Sequence, residues 1–224
     1  MVEKHVLYEV KGHVAVITLN RPKAKNAFSS EMIKLWRECL EKAKADDNVR
    51  VIVVTGKGDT FCSGGDIRDM ADGKLKSWDM KRFLWDGVHR IVLTLEDLDK
   101  PVIAAINGAA MGAGMDMAIM CDLRVCSDRA KLAESYIMMG LIPGDGGAYF
   151  LPRLTGVSKA LELLLTGDVL TPEEALKMGI VNRVVPHEIL MKETMKLAEK
   201  IAGRPPIAVR MMKRAVYQGL TSTL

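Results

Sequence analysis

Along the chain, short apolar runs broken by glycine alternate with stretches whose apolar residues return every three or four positions, the periodicities of strands and of one-faced helices. Val6 to Val10 and His13 to Leu19 read as a hairpin around Lys11-Gly12. Ser29 or Ser30 caps a helix from Glu31 to Ala45, with Met32, Leu35, Trp36, Cys39, Leu40 and Ala43 on one stripe. Val51 to Val54 is an apolar strand that runs into the small-residue loop GKGDTFCSGGDIRDM and a short helix from about Asp66. Trp78 to Leu98 has helical spacing, and Lys100-Pro101 stops it ahead of the strand Val102 to Ile106. Gly112-Ala113-Gly114 then precedes a helix from Met115 to Met120. Helices follow over Ala148 to Leu154, Ser158 to Leu165 and Pro172 to Met178, then a strand from Ile180 to Val185 and an amphipathic helix from Glu188 to Ala202. A last helix starts at Pro205-Pro206 and reaches Tyr217, and the ending QGLTSTL offers no cap, so a truncated helical region is expected.

Strands and helices alternate with two strands per helix in places, which indicates an α/β fold without the even rhythm of a doubly wound sheet. The stretch from Lys100 to Gly147 organises the rest, because a strand feeding a glycine turn at a helix start aims free N–H groups at one point. Such groups, aided by the helix dipole, attract a phosphate or a developing oxyanion. Common motifs fail. A dinucleotide fingerprint would need glycine where Met117 stands, Gly56-Lys57-Gly58 lacks the ending of a phosphate loop, and Phe61 replaces the first glycine of a nucleophile elbow around Ser63. His187-Glu188 has Met191 in place of the second histidine of a zinc helix.

Composition changes this picture little. The 224 residues suffice for a full core, no apolar run is long enough to span a bilayer, and MVEKHVLYEV holds no signal sequence, so a cytoplasmic location is expected. Cys39, Cys62, Cys121 and Cys126 lack metal-binding spacing and read as buried thiols; no metal site is expected. A net charge of +4 suits a phosphate-bearing small ligand as well as ordinary solubility, and neither a basic stripe nor an aromatic platform points to nucleic acid.

Taken together, LNRPKAKNAFS, GDTFCSGGDIRDM, KPVIAAINGAAMGAGMDMAIMCDLRVCS, GLIPGDGG and LTGDVLTPEEALKMGIVNRVVP resemble the crotonase superfamily, the enoyl-CoA hydratase/isomerase family, over nearly the whole chain. The resemblance implies a spiral of ββα units over 1–186, the start of a helical C-terminal region over 187–224, and assembly as a homotrimer or a dimer of trimers. It implies an acyl-CoA substrate, with coenzyme A present only as part of it. The N–H groups of Gly65 and Ala113 would form the oxyanion hole, stabilising a thioester enolate by ~3 to 4 kcal/mol per donor. Lys23, Lys25, Ala27, Asp66, Ile67 and Arg68 would contact the CoA portion.

The acid–base positions depart from the family pattern. Hydratases of the family carry two glutamates; here the corresponding residues are Asp116 and Tyr136. A phenol titrates near ~10 and is a poor base at neutrality, whereas an aspartate near ~3.9 is ionised. Asp116 is therefore expected to be the principal acid–base residue, with Tyr136 assisting. Glu134 and Asp145 are nearby replacement carboxylates, read alternatively as a cap or surface charge and as a cap of the helix from Gly146 to Leu154. Hydration of an enoyl- or dienoyl-CoA is the leading reading. The same fold and oxyanion hole would also serve isomerisation, decarboxylation or thioester hydrolysis, and an RNA-binding relative is the alternative outside catalysis.

Overall fold

The computed structural model describes residues 4–66 and 77–223. The short helix expected from about Asp66 falls outside them, as do Ile67 and Arg68. Among the described residues nine strands build two sheets: β1 (Val6–Lys11), β2 (Val14–Leu19), β3 (Val51–Gly56), β4 (Thr60–Cys62), β5 (Val102–Ile106), β6 (Ala109–Met111), β7 (Leu123–Ser127), β8 (Leu132–Ala133) and β9 (Arg183–Val185). The larger sheet has the order β1-β2-β3-β5-β7-β9 and the smaller β4-β6-β8. Only β1 and β2 run antiparallel; every other pair is parallel.

Consecutive strands alternate between the sheets, so β3, β5 and β7 lie in the large sheet and β4, β6 and β8 in the small one. Helices return the chain after each strand pair, giving the expected spiral of ββα units. The helices are α1 (Ser30–Ala45), α2 (Ser77–Arg82), α3 (His89–Asp97), α4 (Ala113–Ile119), α5 (Gly147–Thr155), α6 (Val157–Thr166), α7 (Pro172–Lys177), α8 (Leu190–Ala202) and α9 (Pro206–Gly219). Asn107 holds two corners of the spiral together: its side-chain oxygen accepts from Gly56 N–H at 3.0 Å, and its amide donates to the Gly58 carbonyl at 2.8 Å.

The central strands are apolar on both faces, as a covered parallel sheet requires. Alternate residues Val14, Val16, Val51, Val53, Ile103, Ala105 and Val125 pack with Leu190, Ala198 and Ala202 of α8. Their neighbours, among them Ile17, Leu19, Ile52, Val54, Ala104 and Ile106, join α1, α4 and the small sheet in the main core.

Several boundaries differ from the sequence pattern. Helix α4 starts at Ala113, two residues early, because Gly112 at φ 48° makes the entry turn. The continuous helix expected over Trp78 to Leu98 contains a wide π-turn at Phe83–Val88 between α2 and α3. Strand β9 covers only Arg183–Val185, although Ile180 and Val181 are buried as expected. Cys39 is only half-buried, unlike the other three thiols. Among the described residues no helix is long and apolar enough to cross a membrane.

Candidate active site

The two glycine loops meet backbone to backbone. A Cβ on Gly114 would stand 2.0 Å from the Cys62 carbonyl oxygen, so only glycine permits the contact. A Cβ on Gly64 would lie 2.9 Å from the Met111 carbonyl and 3.4 Å from Ala113 N, and Gly64 also has φ 89°. Gly112-Ala113-Gly114 is thus packed directly against the backbone of the other loop. The loop over residues 25–28 braces the pair: Ser63 N–H donates to the Lys25 carbonyl at 3.1 Å, Phe28 N–H donates to the Gly64 carbonyl at 2.8 Å, and Phe28 bridges to Gly65. Ala113 is the first residue of α4, where an N–H has no acceptor within the helix. Among the described residues, neither Gly65 N–H nor Ala113 N–H donates to a backbone carbonyl.

One turn into α4, Asp116 is completely buried. Three further groups converge on it. The Tyr136 hydroxyl lies 2.6 Å from Asp116 Oδ2 and 3.1 Å from Asp145 Oδ2. Gly147, the first residue of α5, faces two carboxyls at once: a Cβ there would be 2.3 Å from Asp116 Oδ1 and 3.0 Å from Glu134 Oε2. Asp116 Oδ1, both oxygens of Glu134 and Asp145 Oδ1 meet no partner at hydrogen-bond geometry, although the Glu134 carboxyl and the Gly147 N–H lie near enough to favour the Asp116 charge. Leaving such groups unpaired inside a protein is costly, and here three of the four atoms gather around Gly147.

Their protonation follows from burial. Asp116 is pushed up to about 6, chiefly by burial, with the Tyr136 hydroxyl opposing the rise and Asp145 adding to it whenever that carboxyl is ionised. Glu134 is pushed up to about 10 by burial and then by the neighbouring Asp116. Burial raises Asp145 as well, against the pull of the Tyr136 hydroxyl and of His89. Tyr136 is raised by burial and by Asp116, so it stays a phenol. At neutral pH Glu134 therefore holds a proton while Asp116 is mostly ionised. Cys62, beside the first loop, is pushed up to about 12 by burial and is no thiolate nucleophile.

The structural readings of two carboxylates are overturned. Glu134 occupies the N-cap position of a 3₁₀ turn over Ser135–Met139, yet its side chain makes no capping bond and turns inward, 1% exposed. Asp145 does not cap α5, whose N-cap is Gly146 without a side-chain bond.

Two positions had not been singled out. Gly147 has to lack a side chain, as shown above. His89, the first residue of α3, places Nε2 2.9 Å from the Gly144 carbonyl and 4.0 Å from Asp145 Oδ1. A carbonyl only accepts, so Nε2 carries the hydrogen.

Among the described residues, Lys23, Lys25, Ala27 and Asp66 of the expected CoA set make no hydrogen bond or ion pair with this cluster's carboxyls and belong to the loop side of the site. Lys23 and Lys25 are exposed on the loop after β2. Ala27 is buried, and its carbonyl accepts from the Arg21 guanidinium at 2.5 Å. Asp66 pairs with the same guanidinium at 3.3 Å, which ties its carboxylate into the scaffold. A separate groove of about 430 Å³ between α1 and the helical stretch 77–88, with Lys34, Arg37 and Arg82 on its walls, contains none of the buried carboxyls.

Residues 9–224 match the family described as enoyl-CoA hydratase/isomerase. The chain belongs to that family. Within it, the chain is 36% identical over 217 residues to the short-chain-enoyl-CoA hydratase of Clostridium acetobutylicum, covering 96% of this chain and 82% of that protein. It is 35% identical to the crotonyl-CoA hydratase of Syntrophomonas wolfei, covering 100% and 85%. The crystal structure of an enoyl-CoA hydratase from Bacillus anthracis superposes with a TM-score of 0.94 at 34% identity, over 98% of this chain and 84% of that one.

Proposed function

We propose that this family member hydrates an enoyl-CoA thioester, with Asp116 as the base. The observation that carries the reading is the fully buried Asp116, one turn beyond the Ala113 N–H, with one carboxylate oxygen free and a protonated Glu134 beside it. Relatives named as short-chain-enoyl-CoA and crotonyl-CoA hydratases support it. The thioester oxygen accepts from Gly65 and Ala113 N–H, which polarises the conjugated double bond. Asp116 Oδ1 takes a proton from water as the water oxygen bonds to the β-carbon, and the electron pair of the double bond moves onto the thioester as an enolate. Glu134 then gives its proton to the α-carbon and is reprotonated by Asp116, so water is added and the site returns to its starting state. Lys23 and Lys25 serve the phosphates of the CoA portion, and no resident cofactor takes part.

Incubation with crotonyl-CoA tests this: the conjugated thioester absorbance should fall and the product should gain the mass of one water. Ala113→Pro tests the oxyanion hole, since proline is tolerated at a first helical position but has no N–H. Turnover should fall by about 10²- to 10³-fold, and retained turnover would reject the assignment. A second reading, double-bond isomerisation, draws support from the Tyr136 hydroxyl, which occupies one oxygen of Asp116 and leaves a single carboxylate oxygen to shuttle a proton. A shifted double bond without mass gain would select it.

The same reading extends to assembly as a trimer or dimer of trimers. Exposed Met138, Ile142, Val157, Leu161 and Leu165, on and around α6, supply apolar surface for it. Light scattering that returns the mass of a single chain would oppose it.

A further inference from the structure

The Tyr136 hydroxyl contacts two carboxylates but owns one hydrogen. The shorter contact, 2.6 Å to Asp116 Oδ2, takes that hydrogen. The 3.1 Å contact to Asp145 Oδ2 is then a hydrogen bond only if Asp145 is the donor and the phenol oxygen the acceptor. This gives a directed chain, from the Asp145 carboxylic acid through the Tyr136 hydroxyl to the Asp116 carboxylate. Its inner end is fully buried, and Asp145 is still 5% exposed. Beyond Asp145 stands His89, whose side chain is 30% exposed.

We infer that Asp145, Tyr136 and Asp116 form a proton relay that connects the buried base to solvent, with His89 as the positioning residue at its outer end. One passage balances simply: the Asp145 proton moves to the Tyr136 oxygen, the tyrosine proton moves to Asp116, and the negative charge travels from Asp116 to Asp145. Tyrosine ends unchanged. His89 Nε2–H anchors the Gly144 carbonyl and so fixes the loop that carries Asp145, and a protonated ring favours the Asp145 carboxylate that the relay leaves behind. The surroundings agree with a single mobile charge. The ionisable groups facing Asp145 are Tyr136, His89, Asp116, the protonated Glu134 and the neutral Cys62 thiol, and those facing Asp116 are Tyr136, Asp145 and Glu134. The raised values of Asp116 and Asp145 have the direction expected when one proton is shared along the line.

The relay rests on the hydratase reading, and two measurements on the full chain separate them. In the first, 3-hydroxybutyryl-CoA deuterated at the α-carbon is incubated in ordinary water, and deuterium loss from the pool is compared with turnover. The intact protein should wash out the label. In Tyr136→Phe, washout per turnover should fall by roughly 10²-fold, the low end of the effect of a positioned proton carrier, because a deuteron left on the buried site returns to substrate. His89→Ala removes the donor for the Gly144 carbonyl and should slow washout, while His89→Gln, which keeps a donor there, should restore it. Equal washout per turnover in the intact protein, Tyr136→Phe and His89→Ala would overturn the relay. The second measurement needs no substrate and stands even if this thioester is not turned over. Infrared spectra at neutral pH should contain, beside the protonated carboxyl band that Glu134→Gln removes, a second one that disappears in Asp145→Asn and shifts in Tyr136→Phe. A spectrum in which no carboxyl band responds to either of these two substitutions would contradict the relay, whatever the reaction is.

Discussion

Arg124 and Lys100 are buried as deeply as Asp116 and Glu134, at 4% and 1% exposure against 0% and 1%. The two pairs are treated oppositely. Arg124 donates to the Ile180 carbonyl at 2.5 Å, to that of Ile119 at 3.3 Å and to that of Cys121. Lys100 donates to the Ala43 and Asp46 carbonyls at 2.8 and 2.7 Å, which closes the C-terminal end of α1 and sets a positive charge at the negative end of its dipole. Both cations stitch loose carbonyls into the scaffold. Burial shifts the protonation of all four, but only the carboxyls keep oxygens without a partner at hydrogen-bond geometry. Buried charge that is spent on backbone carbonyls builds the fold, and buried charge with unpartnered oxygens is held ready for a ligand.

The substitution that should break this contrast most visibly is Asp116→Asn, which keeps the shape and removes the basicity. Crotonyl-CoA turnover should fall by about 10²- to 10⁴-fold with no loss of thermal stability, and Tyr136→Phe should cost less. Near-full activity in Asp116→Asn, with Glu134→Gln or Asp145→Asn inactive, would move the base elsewhere. Arg124→Leu should do the reverse. Three carbonyls would lose their donor, the melting temperature should drop by the equivalent of about 3 kcal/mol, and turnover per folded molecule should change little. An unaltered melting temperature would show that the carbonyls find other partners.

Per pH unit, the smallest expected effect is a slope. Glu134 is raised from 4.5 to about 10 in the fold, so between those values the folded chain holds a proton that the unfolded chain has released. Its contribution to stability is therefore complete below about pH 4.5 and is lost as pH rises toward 10. Chemical denaturation at several pH values should give stability falling by at most about 1.4 kcal/mol per pH unit from this group, and Glu134→Gln should flatten that part of the curve. A slope that is the same in both proteins would place the proton on another residue.

Much of the scaffold was legible because local chemistry dictates it. Uninterrupted valine and isoleucine runs can only be covered strands, and the crowded corner at Gly114 leaves no room for another residue. Asp116 was legible as well, since a carboxylate amid MDMAIM has to be buried. Glu134 was harder to read. Nothing in its neighbours tells whether a residue at an N-cap position caps or turns inward; that depends on Gly147, whose missing side chain leaves the space. The role of His89 could not be read at all, because it and Gly144 are 55 residues apart and meet only through the packing of α3 beside the loop before α5. The π-turn ahead of His89 was hidden for a similar reason: the apolar spacing of Trp78 to Leu98 fits an unbroken helix equally well.

The central claim, that Asp116 is a buried base waiting with one free oxygen, is tested most directly by the pH dependence of kcat/KM for crotonyl-CoA. As base, Asp116 must be deprotonated, so activity should rise with pH through an apparent value of about 6 and level off above it. A limb in the ordinary carboxylate range near ~4, or a limb near 6 that persists in Asp116→Asn, would contradict the account.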